Sequence, residues 1–145
     1  MIAETVSIVP LSSTGEILLM LRDDKGDIPF PNMWATLGGA VERDEDPRTA
    51  AERELREEIG RTIDNLTYTR PVDTFSDMRQ SPVRIHVYYG HVDTPAEDLK
   101  LGEGQRLQWF RLEDLATLDL APPSRAALAA VFAAVGWTES SSLEA

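Results

Sequence analysis

The chain has no cysteine, no long apolar run and little positive charge. Without cysteine there are no disulfides, no thiolate nucleophile and no zinc–thiolate site. No stretch approaches the roughly 20 apolar residues that a membrane-spanning helix needs, so no membrane is expected as a partner. The N-terminus, Met1-Ile2-Ala3-Glu4, lacks the basic and apolar regions of a signal peptide, so the cytoplasm is the expected location. Fourteen basic residues stand against 25 acidic ones, a net charge of −11. A nucleic-acid polymer is therefore a poor partner, because such affinity comes from basic side chains neutralising phosphates. An acidic protein can still act on phosphate compounds if a bound cation reverses the local sign.

What is present fits one folded domain. The 145 residues are 42% apolar and 27% charged, enough to bury a core. The expected domain spans residues 1–137, with 138–145 as a flexible polar tail. Thr5–Leu11 and Glu16–Arg22 read as strands joined by the turn Ser12–Gly15. A polar loop, 23–32, carries Gly26, Pro29 and Pro31. Met33–Val41 is a short apolar run broken by Gly38-Gly39. Pro47–Ile59 is the clearest helix: Asp46 can cap it, Pro47 suits its first turn and Gly60 stops it. Leu66–Phe75, Val83–Val92 and Leu107–Leu112 read as strands, Glu113–Leu115 as a helical turn and Ser124–Val135 as an apolar-striped helix.

The chemistry gathers between Gly39 and Gly60. At 3.6 residues per turn, Glu54, Glu57 and Glu58 fall within an arc of roughly 100°. Like charges at these spacings repel and destabilise a helix. Taken alone, the trio reads as a solvated acidic face. A divalent cation would remove the conflict, and Mg²⁺ prefers such oxygen ligands. Ala51, Leu55 and Ile59 form the opposite face, able to bury against a sheet. Glu45 stands eight residues before Arg53, where the two can tie the loop to the helix.

These residues resemble the Nudix box, G-x5-E-x7-R-E-U-x-E-E-x-G-U with U aliphatic. Gly39, Glu45, Arg53, Glu54, Leu55, Glu57, Glu58 and Gly60 match at the required spacing. Arg61 departs, standing where an aliphatic residue is usual, and altered packing is expected at the helix exit. Leu37 replaces the proline that often precedes the glycines. Pro31–Trp34, Gly102–Gly104 and Trp109–Leu115 extend the likeness over roughly 6–135. The resemblance implies an α/β fold, the α/β/α sandwich around a central mixed β-sheet, and a pyrophosphohydrolase that cuts a diphosphate linkage in a nucleotide-like small molecule.

It also implies roles. Glu57 and Glu58 would be the principal metal ligands for Mg²⁺, with Mn²⁺ as a substitute. Glu54 would be a ligand or would position and deprotonate water, and the Gly39 carbonyl would complete the site. Arg53, Glu45 and Gly38 would support it. Glu103, between two glycines, is the candidate further ligand, and a homodimer is common in the family. Arg22, Arg79 and Arg84 are candidate phosphate contacts; Trp34, Phe75, Tyr88 and Trp109 are candidate base-stacking groups. The plainer reading of each is core aromatic or solvated arginine. His86 and His91 are possible general bases, although His86 sits in a regular strand. Asp44–Asp46 and Asp23-Asp24 lack EF-hand spacing, which excludes a calcium module of that kind. The competing function is a Nudix-fold nucleotide-binding module without catalysis.

Overall fold

A computed structural model describes residues 2–137. The tail expected at 138–145 lies outside the described residues. Strands β1 (Ala3–Leu11) and β2 (Glu16–Leu21) are followed by β3 (Trp34–Ala35), β4 (Leu37–Ala40) and helix α1 (Pro47–Ile59). Next come β5 (Thr67–Ser76), β6 (Ser81–His91), β7 (Arg106–Arg111) and helix α2 (Pro122–Val135). The expected elements all form, with ends displaced by a residue or two. The turn at Glu113–Leu115 is a 3₁₀ helix over Leu112–Thr117, and a second one, Ala96–Asp98, was not expected.

The seven strands make one mixed sheet. β6 runs parallel to β1 from Ala3↔Val83 to Leu11↔His91, and β5 lies antiparallel outside it. β1 and β2 pair at Leu11↔Ile17 and then part. The segment 34–40 fills the fork, with β3 on β2 and β4 on β1. β7 covers the other edge of β2.

Both faces of the sheet are covered, which is why Val6–Leu11 is buried throughout instead of alternating. On one face α1 packs Ala50, Ala51, Leu55 and Ile59 against Val6, Ile8, Leu18 and Leu37. On the other, α2 packs Leu128, Val131 and Phe132 against Val9, Ile85 and Val87. Each such large side chain contributes roughly 1.5–3 kcal/mol of burial. The result is the α/β/α sandwich that the resemblance implies.

Helix α1 is held at both ends. Asp46 accepts the Thr49 amide at 2.8 Å, and Gly60, at φ +75°, donates its amide to the Arg56 carbonyl. Arg61 lies exposed beyond this cap and donates to Thr94 Oγ1 at 2.8 Å. Buried Ile63 supplies apolar packing two residues further on. The segment 100–102 folds back on the helix end, with the Gly102 amide donating to the Glu58 carbonyl at 2.9 Å.

Candidate active site

β4 places its two glycines against the acidic side of α1. The Gly38 amide points at the Glu58 carboxylate, 3.2 and 3.3 Å from its two oxygens. Gly38 has φ +146°, and a Cβ there would lie 2.0 Å from the Val6 carbonyl oxygen. A Cβ on Gly39 would lie 2.4 Å from Glu54 Oε1. Glycine is thus needed here so that strand and carboxylates can approach, not only for backbone freedom.

The three helix glutamates are not equivalent. Glu58 is 2% exposed and Glu54 is also buried, whereas Glu57 is open to solvent. Burial raises the Glu58 pKa far above the carboxylate range; a hydrogen bond with Glu54 and the charges of Glu103 and Glu54 add to it. Glu103 is raised as well, by desolvation and then by Glu54. Gly102 brings Glu103 to this place, since its missing Cβ would sit 1.8 Å from the Glu57 carbonyl oxygen. The carboxylates of 54, 57, 58 and 103 and the glycine strand bound a cavity of about 380 Å³.

Arg53 ties this group to the preceding loop. Its Nε and Nη2 donate to the two oxygens of Glu45 at 2.8 and 2.9 Å, a two-point grip. Nη2 also reaches the Ala40 carbonyl, and Nη1 donates to Glu54 at 3.0 Å and to Glu57 at 3.4 Å. Among the described residues no three acidic or imidazole side chains are already closed into a metal cage. The guanidinium instead draws on two of the carboxylates. The donor set is nevertheless all oxygen, and packing buried acids together without a cation forces one of them to keep a proton. That chemistry fits a hard divalent cation.

Arg53 and then the Glu42 amide hold the Glu45 carboxyl down from 4.5 to about 2. A depressed folded-state pKa contributes stability above the unfolded value, lost as pH falls through the folded one. Thermal unfolding temperature is therefore expected to drop between pH 4.5 and 2. Glu45→Gln should flatten part of that slope while lowering the plateau; an unchanged slope would remove Glu45 from this role.

A second, larger cleft of about 740 Å³ opens on the α2 side and shares Gly38, Gly39 and Ala40 with the acidic cavity. Arg22, Phe75 and Arg79 line it. The other candidate substrate residues are placed elsewhere. Tyr88 is buried in the α1-side core, and Trp109 packs against that core with Nε1 donating to the Thr94 carbonyl. Trp34 sits edge-on to Phe110, with centroids 4.8 Å apart. Arg84 is paired with Asp73 at 2.8 Å. His86 bonds Glu4 and Tyr68, and exposed His91 lies edge-on to Tyr89. Neither histidine lines either cavity. Phe30, Met78 and the hydroxyls of Ser7, Thr36 and Ser124 line the cleft without having been expected there. Only Phe30, an aromatic ring between two prolines in a loop, carried a sequence signal.

Residues 1–131 match the family model of the NUDIX domain. The chain belongs to the Nudix family and is a hydrolase acting on phosphoanhydride bonds. A nucleoside triphosphatase, NudI, of Escherichia coli O139:H28 is 32% identical over 121 residues, spanning 77% of this chain and 84% of the relative. The crystal structure of a MutT NUDIX hydrolase from Burkholderia pseudomallei superimposes with a TM-score of 0.76 at 26% identity, covering 90% of this chain and 98% of the other. The fold is also that of the NUDIX domain of Shewanella oneidensis NrtR, solved with ADP ribose: TM-score 0.74, 19% identity, 95% and 90% covered.

Proposed function

We propose that this enzyme is a divalent-metal-dependent pyrophosphohydrolase of nucleotides, with nucleoside triphosphates or small nucleotide conjugates as substrates. One observation carries the reading: the acidic cavity and the large cleft meet at Gly38–Ala40. A diphosphate bridging the two would lie beside the glutamates while the rest of the molecule fills the cleft. The triphosphatase activity of the NudI relative supports the same class.

Glu57 and Glu58 would hold the metal, joined by Glu54 or Glu103 and the Gly39 carbonyl. Binding there would require Glu57 to exchange its long contacts with the Arg53 guanidinium for the cation. Mg²⁺, or Mn²⁺, held by these residues would supply neutralisation of diphosphate oxygens and would lower the pKa of a water. Glu54 would hold the attacking water and take its proton. Arg53, fixed by Glu45, would keep Glu54 in place. Gly38 would fix Glu58 through its amide, so that orientation is settled before substrate arrives.

The test is a panel of nucleoside triphosphates, nucleotide sugars and ADP-ribose, incubated with Mg²⁺ and followed by product identification. Release of phosphate or pyrophosphate from at least one, abolished by a chelator and restored by excess Mg²⁺, is the expected result. Tight binding without turnover of any compound would favour a catalytically silent nucleotide-binding module.

A further inference from the structure

One wall of the large cleft is a loop with little packing of its own. Residues 24–31 bulge from the connection between β2 and β3, and Ile28, Pro29 and Phe30 line the cleft from it. Every residue of 24–31 except Ile28 is exposed. At the neck of the loop the Arg22 amide donates to the Met33 carbonyl at 2.9 Å, and the Asn32 amide to the Asp23 carbonyl at 3.0 Å. Within it, Arg22 Nε donates to the Pro29 carbonyl at 2.9 Å. Phe30 and Asn32 are both left-handed, at φ +51° and +59°. Asparagine takes that backbone readily, whereas phenylalanine does so at a cost that its surroundings must offset.

Gln105 constrains this loop from another element. It stands immediately before β7, and its own amide donates to the Leu21 carbonyl at 2.8 Å, beside the last β2–β7 pair, Leu21↔Arg106. Its side chain reaches both limbs of the neck. Nε2 donates to the Arg22 carbonyl at 2.7 Å and to Asn32 Oδ1 at 2.9 Å. A primary amide has two N–H donors, and both are used here. Glu103, at the acidic cavity, stands two residues earlier on the same segment. Gly104 between them has φ +79°, and a Cβ there would lie 2.7 Å from the Leu21 carbonyl oxygen. The segment therefore lies tight against the end of β2, and one side chain joins the walls of the two cavities.

We infer that Gln105 is a positioning residue, whose side-chain amide holds the cleft wall bearing Arg22 and Phe30 in register with Glu103 at the acidic cavity. Gln105 itself lines neither cavity. The inference rests on the function proposed above, because a substrate spanning both cavities needs their walls at a fixed separation. Gln105 and Asn32 are exposed, so their bond adds little to folding. What it supplies is order: the loop is set before a ligand arrives, and binding does not have to fix it. Loss of the clasp weakens ground state and transition state alike, which appears in KM and not in kcat. The backbone bond from Gln105 to Leu21 survives any substitution short of proline and keeps Glu103 in place.

Gln105→Met tests this on the full chain, since it keeps the length of the side chain and removes both donors. NMR-detected amide exchange without ligand should quicken about tenfold at Arg22 and Asn32. Gly102, whose amide donates to the Glu58 carbonyl, should keep its parental rate. In turnover with Mg²⁺, KM for whichever of ATP, GTP, CTP and UTP the parent hydrolyses should rise about five- to tenfold, with kcat within about twofold. The inference is overturned if the two amides exchange at the parental rate. It is equally overturned if they quicken while KM stays put, or if kcat falls in its place. Should the parent hydrolyse none of the four, the nucleoside triphosphate reading falls, and the exchange rates alone decide the clasp.

Discussion

Glu57→Gln is expected to lower kcat by about 10²–10³-fold, on the scale of losing one preorganised electrostatic contact at a reacting centre. Its unfolding temperature should stay within a degree or two of the parent. The reason is the unequal burial of the three glutamates. Glu57 is exposed, and its carboxylate accepts two long contacts from Arg53 Nη1, both 3.4 Å. An exposed pair of that length contributes little to folding. Its carboxylate is therefore available for the role proposed for it. Near-parental turnover in Glu57→Gln would remove Glu57 from the proposed metal site.

Gly102→Ala should produce a large stability loss for a single added methyl. The new Cβ would lie 1.8 Å from the Glu57 carbonyl oxygen and 3.2 Å from Glu58 Cα, both backbone atoms that cannot rotate away. Relief requires the loop to lift from α1, breaking the Gly102–Glu58 amide–carbonyl bond. Overpacking against backbone costs roughly 1–3 kcal/mol or more. At about 2–4 °C per kcal/mol for a domain of this size, the melting midpoint should fall by about 5–10 °C. Activity should fall too, because Glu103 moves with the loop. A midpoint within 2 °C of the parent would mean that the loop rides freely over the helix.

Helix α1 and its box were legible in the sequence because their signals are local. Asp46, Pro47 and Gly60 act within one turn of themselves, and the Glu45–Arg53 spacing names a pair that the structure places at 2.8 Å. The strands followed from apolar runs for the same reason. The fork was not legible: nothing in Trp34–Ala40 says that it separates β1 from β2, since that depends on pairing between segments distant in the chain. Burial of Glu58 was hidden as well, because it is imposed by Gly38 from another element. The cleft was the least readable part. Residue type alone marks candidate base-stacking groups, and type does not distinguish Tyr88, buried under α1, from Phe75, exposed at the cleft. A chain of hydroxyls joins residues 7, 36 and 124, a grouping that no sequence spacing announces.

The fork in the sheet bears on how this protein can change. The glycine strand is paired with β1 along its whole length and faces Glu54 of α1, so the proposed cutting position is set by regular elements of the fold. The segments bearing Phe30 and Met78 are surface connections with ends anchored in strands. Either is open to grafting or lengthening without moving the glutamates. The proposed division of labour is therefore modular: replacing those two connections together should change which substrate the large cleft accepts and leave the proposed site at the glutamates in place.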